Sequence, residues 1–310
     1  MGGIDAPSAL AGGGTNAVGR MLGLLGDEWT LLIAQQAMLG ARRYSDFGAR
    51  LPISHSVLSA RLQVLSADAL LSRRVYQTNP LRAEYQLTAR GRGLWPVLLS
   101  IWEWERHWVP MHAADLPSMH HGLCGRDFAP SLCCGSCGEA VTAKDVVAQW
   151  GPSGSWPRSA PAGATRRRSG RQRVQAGLFP ETMSIFGNRW SAALLVGAFL
   201  GIARFTDFQA VLGAPPSVTA ERLASLAASG VLTGAPRYQL TEKGRAFFPV
   251  LVLSLQWAQR WFLAPEGPAV LLTHEACGDA FVATLACDQC AEPLTGRDIA
   301  VIPVSGAARP

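Results

Sequence analysis

No apolar run in this chain is long enough to cross a bilayer. The longest, Ala192 to Ala203, covers 12 residues and is broken by Gly197 and Gly201. The N-terminus lacks the basic, apolar and small-residue succession of a secretory signal, so a cytoplasmic location is expected. Charged residues are few, at 16% against 48% apolar, which is the balance of a packed protein and not of a disordered one. Catalytic signatures are missing too: no Gly-rich phosphate loop, no paired carboxylates, no nucleophile set beside a base. No enzyme is expected. Cysteine is limited to seven residues, which in a reducing compartment read as thiols or metal ligands and not as disulfides. Positive charge is in short supply once it is located. The net charge is +6, but five arginines (Arg166, Arg167, Arg168, Arg171, Arg173) sit in one acid-free stretch, and without them it is +1. A nucleic-acid argument must therefore rest on local placement.

What is present is a repetition. Gly26, Trp29, Leu39, Arg43, Asp46, Phe47, Arg61, Leu62 and Leu65 recur 161 positions later, as Gly187, Trp190, Leu200, Arg204, Asp207, Phe208, Arg222, Leu223 and Leu226. The register then resumes at an offset of 153, matching Tyr85-Gln86-Leu87-Thr88 to Tyr238-Gln239-Leu240-Thr241. Two copies of about 130 residues make a duplicated domain pair, and a duplicated chain resembles a two-fold dimer fused end to end.

The punctuation divides the chain into a disordered tail over 1–14, a domain over 15–112, a Cys/His module over 113–150, a flexible basic linker over 151–175, a second domain over 176–265 and a second Cys/His module over 266–310. In the first copy, Asp27-Glu28 opens a helix that Gly40 stops, Ser45 caps a short helix, and Ser54 caps another with Val57, Leu58, Leu62 and Leu65 at helical spacing. Leu70–Tyr76 and Glu84–Leu87 flank Thr78-Asn79-Pro80 as strand, turn, strand, and Thr88 caps a long helix to about Val109. The fold class expected is mainly α with small β-wings (α+β): two winged helix-turn-helix domains, each followed by a small zinc-ribbon or knuckle-like module.

The segments GDEWTLLIAQQAMLGARRYSDFGARLP, SVLSARLQVLSADALL and YQLTARGRGLWPVL resemble the HxlR-type branch of the MarR-like transcriptional regulators. Their counterparts GNRWSAALLVGAFLGIARFTDFQ, SVTAERLASLAASGVL and YQLTEKGRAFFPVL are similar to the same family, so the resemblance covers about 180 residues. It implies a bacterial regulator binding double-stranded operator DNA, usually a dimer held by its terminal helices. Those helices carry Trp95, Trp102, Trp104 and Trp108 in the first copy and Trp257 and Trp261 in the second, six of the ten tryptophans. An internal pseudo-dimer that buries them is expected; a further homodimer stays open, and no residue pattern names a small-molecule effector.

A recognition helix presents its N-terminal residues to base edges in the major groove. Ser54, His55, Ser56, Ser59 and Gln63 are the candidates in the first copy. Arg73, Arg74 and Arg82 on the wing suit phosphates or the minor groove, and Arg42 and Arg43 suit the backbone. Arg61 either reaches a phosphate or braces the fold through an internal carboxylate. In the second copy Arg204, Ser217, Thr219 and Arg222 are the candidates. The change of offset removes eight residues from that copy's wing, and its helix carries Pro215, Pro216 and Glu221. It either reads its half-site weakly or has become a dimerisation partner.

Each copy ends in His-x2-Cys-x9-Cys-x2-Cys: His121, Cys124, Cys134, Cys137, and His274, Cys277, Cys287, Cys290. Two close ligand pairs joined by a loop are expected to surround one tetrahedral, structural Zn2+ in each repeat, with no open position for catalysis. A redox switch using Cys134 and Cys137, helped by the unmatched Cys133, is the competing reading; inert buried thiols are another. Two other functional classes stay open, a thiol-redox-sensing regulator and a winged-helix protein-interaction module without DNA binding.

Overall fold

A computed structural model describes residues 6–79, 81–159 and 179–303. The chain opens with β1 (Ser8–Ala9) and α1 (Ala17–Leu25). α2 (Glu28–Met38) starts where the Asp27 carboxylate accepts the Trp29 N–H, and ends before Gly40, whose φ of +91° suits only glycine well. α3 (Tyr44–Arg50) begins one residue before the expected Ser45 cap. Arg43 is its N-cap, and Asp46 reaches back to accept the N–H groups of Arg42 and Arg43, a task Ser45 is not placed to perform. α4 (His55–Ala67) is capped by Ser54 as expected, and buries Leu58, Leu62 and Leu65.

The wing is β2 (Leu71–Thr78) paired antiparallel with β3 (Leu81–Leu87). A bridge between Arg43 and Glu84 adds a short third edge. Thr88 does not begin one long helix. It caps α5 (Ala89–Arg92), and the chain re-enters a helix as α6 (Trp95–Trp108) with Pro96 in its first turn, where a missing N–H costs nothing. After α7 (Pro110–Ala113) come β4 (Ser118–His121), β5 (Arg126–Asp127), β6 (Pro130–Cys134), β7 (Val146–Trp150) and α8 (Trp156–Ser159). The second copy repeats the plan with α9 (Pro180–Ile185), α10 (Arg189–Phe199), α11 (Phe205–Leu212), α12 (Pro216–Ala228), α13 (Glu242–Arg245) and α14 (Phe248–Trp261). Its wing is reduced to a single bridge between Leu232 and Leu240, as the eight-residue loss requires. β8 (Phe262–Leu263), β9 (Val270–His274), β10 (Ala283–Cys287) and β11 (Ile299–Ile302) complete it.

Two segments expected to be unstructured are partly ordered. β1 pairs parallel with β8, and the guanidinium of Arg90, buried in the core, donates to the Ala6 carbonyl and the Ser8 hydroxyl. The start of the linker also folds. Asn16 donates to the Ser153 carbonyl and the Ser159 hydroxyl, and Trp156 packs edge-on against Trp150. The five linker arginines lie outside the described residues.

The copies meet about an approximate two-fold axis. Asp27 bridges Asn188, its own equivalent at offset 161. Trp104 donates its indole N–H to the Lys243 carbonyl at 3.1 Å, and Trp257 donates to the Arg90 carbonyl at 2.9 Å. Trp104 and Trp257 are equivalent at offset 153, as are Arg90 and Lys243, so the contact is reciprocal in the manner of an isologous interface. α6 packs on α14 with Trp102, Trp104, Trp257 and Trp261 buried, while Trp95 and Trp108, expected to be buried with them, are only half-buried. Among the described residues no helix is long and apolar enough to cross a membrane.

Candidate nucleic-acid interface and metal centres

α4 sets Ser54, His55, Ser56, Ser59 and Gln63 on its solvent face, because Leu58, Leu62 and Leu65 take the opposite one. Tyr44, which the sequence did not single out, holds the start of this helix. Its ring stacks on His55 at 5.9 Å, and its hydroxyl donates to the His55 carbonyl at 2.9 Å. An aromatic beginning a seven-residue helix carries no sequence signature, so only the fold reveals it. Arg61 resolves its two options toward bracing, with a 2.7 Å ion pair to Asp27. Arg42 and Arg43 are exposed; Arg43 lies over the Tyr76 ring and 3.7 Å from Glu84. Arg73, Arg74 and Arg82 are exposed on the hairpin, with Arg74 opposite Glu84 and Arg73 opposite Tyr85.

The second copy keeps less of this surface. Ser217 and Arg204 are exposed, but Thr219 is fully buried and its hydroxyl donates back to the Pro215 carbonyl. Thr219 therefore cannot read a base. At offset 161 it occupies the place of Leu58, a core position. Arg222 has no Asp27 equivalent to hold, since Asn188 stands there, and pairs with Glu221 at 3.1 Å. Phe205 replaces Tyr44 and Pro216 replaces His55, so neither the hydroxyl nor the imidazole survives. The Pro215 cap makes no side-chain hydrogen bond.

The eight metal-ligand candidates do converge, but not within each copy. One cluster is His121, Cys124, Cys287 and Cys290; the other is Cys134, Cys137, His274 and Cys277. This corrects the expected grouping of one complete motif per repeat. The reason lies in the strand pairing. β6 pairs antiparallel with β10, with Leu132 opposite Leu285, its own equivalent, so the two-fold passes through that pair. β4 pairs with β11 and β9 with β7, which again joins one copy to the other. Each His-x2-Cys turn therefore closes over the Cys-x2-Cys turn of the opposite copy.

The spacing within the clusters fits a tetrahedral ion. Zn–S bonds of about 2.3 Å and Zn–N bonds of about 2.0 Å at tetrahedral angles separate two sulfurs by about 3.8 Å, and nitrogen from sulfur by about 3.5 Å. Cys124 Sγ lies 3.9 Å from Cys287 Sγ, and His121 Nδ1 lies 3.4 Å from Cys124 Sγ and 3.5 Å from Cys290 Sγ. In the second cluster His274 Nδ1 lies 3.3 Å from Cys277 Sγ and 3.4 Å from Cys137 Sγ. Both imidazoles offer Nδ1. Tight turns aim the sulfurs: the Gly125 and Gly278 N–H groups donate to the His121 and His274 carbonyls, at φ of +67° and +75°. Burial pushes the Cys134 thiol up, but N–H groups of Cys137 and Ser136 and neighbouring thiols outweigh it and bring it down to about 6. That favours the thiolate a metal needs. All seven cysteines are free, and burial raises the unmatched Cys133 thiol above its ordinary value, which makes it a poor redox nucleophile.

Beside α6 lies a cavity of about 190 Å³ lined by Gln35, Met38, Trp95, Leu99, Trp102 and Ile299.

Residues 24–113 and 185–265 both match the family model described as HxlR-like helix-turn-helix. Over 136 residues the chain is 37% identical to Rv3095 of Mycobacterium tuberculosis, named an uncharacterized HTH-type transcriptional regulator, covering 44% of this chain and 86% of that protein. Bacillus subtilis YvaP, named likewise, is 38% identical over 87 residues, 28% of this chain and 81% of its own. The solved structure of PA1374 from Pseudomonas aeruginosa, proposed as a transcription factor, is 28% identical, with a TM-score of 0.34 over 46% of this chain and 97% of that one.

Proposed function

Because the chain belongs to the HxlR-like helix-turn-helix family, matched in both of its copies, we propose that it is a DNA-binding transcriptional regulator working as an intramolecular pseudo-dimer. The observation that carries this reading is α4: a capped helix whose solvent face is lined by His55, Ser56, Ser59 and Gln63, beside a hairpin bearing three exposed arginines. Gln63 suits adenine through a bidentate pair; the serines are nearly indifferent readers. Arg42, Arg74 and Arg82 supply charge to the phosphates. The second copy contributes Arg204 at the start of α11 and Ser217 on α12, beside a reduced wing, so the operator is asymmetric, with half-sites about one helical turn apart.

Zinc is the ion this donor set suits. Three thiolates and one imidazole make a closed, structural site, with no fourth position for water. The ion would supply charge and geometry at the sulfurs; the chain's own turns aim the donors. The helix-turn-helix reading places the protein in the cytoplasm, on the nucleoid.

Sequencing genomic fragments retained by the purified protein near physiological salt tests the function. One enriched asymmetric motif is expected. A perfect palindrome would count against the pseudo-dimer and favour two chains each reading with the first copy. No enrichment, with the fold intact, would point to a protein-interaction module.

A further inference from the structure

We propose that the two metal ions are cross-links between the copies, so that metal loading fixes where one winged helix stands relative to the other. The part of this that concerns DNA rests on the regulator reading above; the cross-link itself does not. Neither copy alone assembles a four-donor site. Each brings one His-x2-Cys half and one Cys-x2-Cys half, and the halves are completed across the two-fold. The backbone enforces the exchange, because β4, β6 and β7 find their partners β11, β10 and β9 in the other copy. The ligand turns sit at the ends of these strands. His121 is opposite Ile299 and His274 opposite Val146, equivalent pairs at offset 153.

An ion bound here is consequently unlike the ion of an autonomous zinc knuckle, which stabilises only its own loop. It needs both copies docked before its third and fourth ligands are in reach, and once bound it opposes their separation. The arrangement also explains why both half-motifs persist in the second copy while its wing and reading helix have lost function-bearing residues: each copy's donors are needed by the other's site. The winged helices already pack on each other through α6 and α14, and both of these helices also touch the intertwined base at β6 and β10, so the ions brace the seam on which the distance between the two reading helices depends. A half-site spacing of about one turn tolerates little drift.

The test uses the full chain loaded with 113Cd2+. Proton–cadmium couplings should connect one cadmium to the β-protons of Cys124, Cys287 and Cys290, and the other to those of Cys134, Cys137 and Cys277. Couplings that join Cys124 to Cys134 and Cys137 would overturn the cross-link while leaving metal binding in place. No bound cadmium at all would sink the zinc reading itself. Substitution gives a second readout. His121→Ala, Cys124→Ser, Cys287→Ser and Cys290→Ser combined should leave one ion per chain, and His121→Ala, Cys124→Ser, Cys134→Ser and Cys137→Ser should leave none. Within-copy sites predict the reverse. For the positional claim, spin labels carried by unnatural residues at the equivalent exposed positions Ala49 and Ala210 should give one narrow distance with metal and a broad one after chelation. An unchanged distribution would refute it.

Discussion

Replacing Arg74 and Arg82 by alanine together should reduce the salt dependence of DNA binding by a calculable amount. Side chains alternate across a strand, and the register sets Arg74 opposite Glu84, with Arg82 two residues before it, so Arg74 and Arg82 share one face of the hairpin. Arg73 is on the other face with Tyr85, whose ring meets Phe47 of the core edge-on at 6.5 Å. One duplex would meet one face, so two of the three arginines are expected to engage phosphates. Each contact removed lowers the slope of log K against log salt by about 0.9, giving about 1.8 for the pair. Raising salt fourfold should then cost the double variant roughly tenfold less affinity than the parent. Fluorescence anisotropy with operator and random duplexes across a salt series measures it, and the change should be alike for both. Adding Arg73→Ala should alter the slope little. A slope that stays at the parent value, or a loss confined to the operator, would refute the placement of this wing on the phosphates.

Other substitutions follow from single contacts. Gln63→Ala should change base preference in a selection experiment while leaving the salt slope intact, since its partner would be a base and not a phosphate. Asp27→Ala removes both an N-cap and the carboxylate that holds Arg61, and should lower stability by about 1–2 kcal/mol in urea titration. Asp27→Asn, the residue the second copy uses at Asn188, should cost much less. Gly91→Ala would drive a Cβ into the Leu70 carbonyl oxygen; a loss of about 1–3 kcal/mol is expected from the forced backbone shift. The N–H groups of Arg43 and Arg42 hold the Asp46 carboxyl below its ordinary 3.8. Its folded value is depressed, so its contribution is complete above 3.8 and is lost as pH falls through the lower folded value. Asp46→Asn should flatten acid unfolding in that range, measured by circular dichroism.

Much of the local structure was legible because short-range chemistry dictates it. Asp27 and Ser54 are polar caps ahead of apolar periodicity, and both cap helices; with eight residues fewer, the second wing keeps a single antiparallel bridge in place of the two strands. Ser45 misled because the Asp46 carboxylate, by accepting the N–H groups of Arg42 and Arg43, lets the helix start at Tyr44 and leaves Ser45 inside its first turn. Thr219 misled through its polarity, although the repeat register places it on the position of Leu58. Tyr44 beneath His55, and Asp27 as the partner of Arg61, lie 11 and 34 residues apart in the chain and meet only through packing.

The metal centres divide most cleanly between the two sources. The spacing of His and Cys determined that four donors of the right chemistry come in two sets, and duplication determined that the sets are equivalent. Equivalence is also what hid their grouping. Two identical half-motifs can close within a copy or across copies with the same local geometry, and nothing along the chain separates the alternatives. Strand pairing about the Leu132–Leu285 axis decided it, because backbone hydrogen bonds carry no record in the sequence of which equivalent strand they will join.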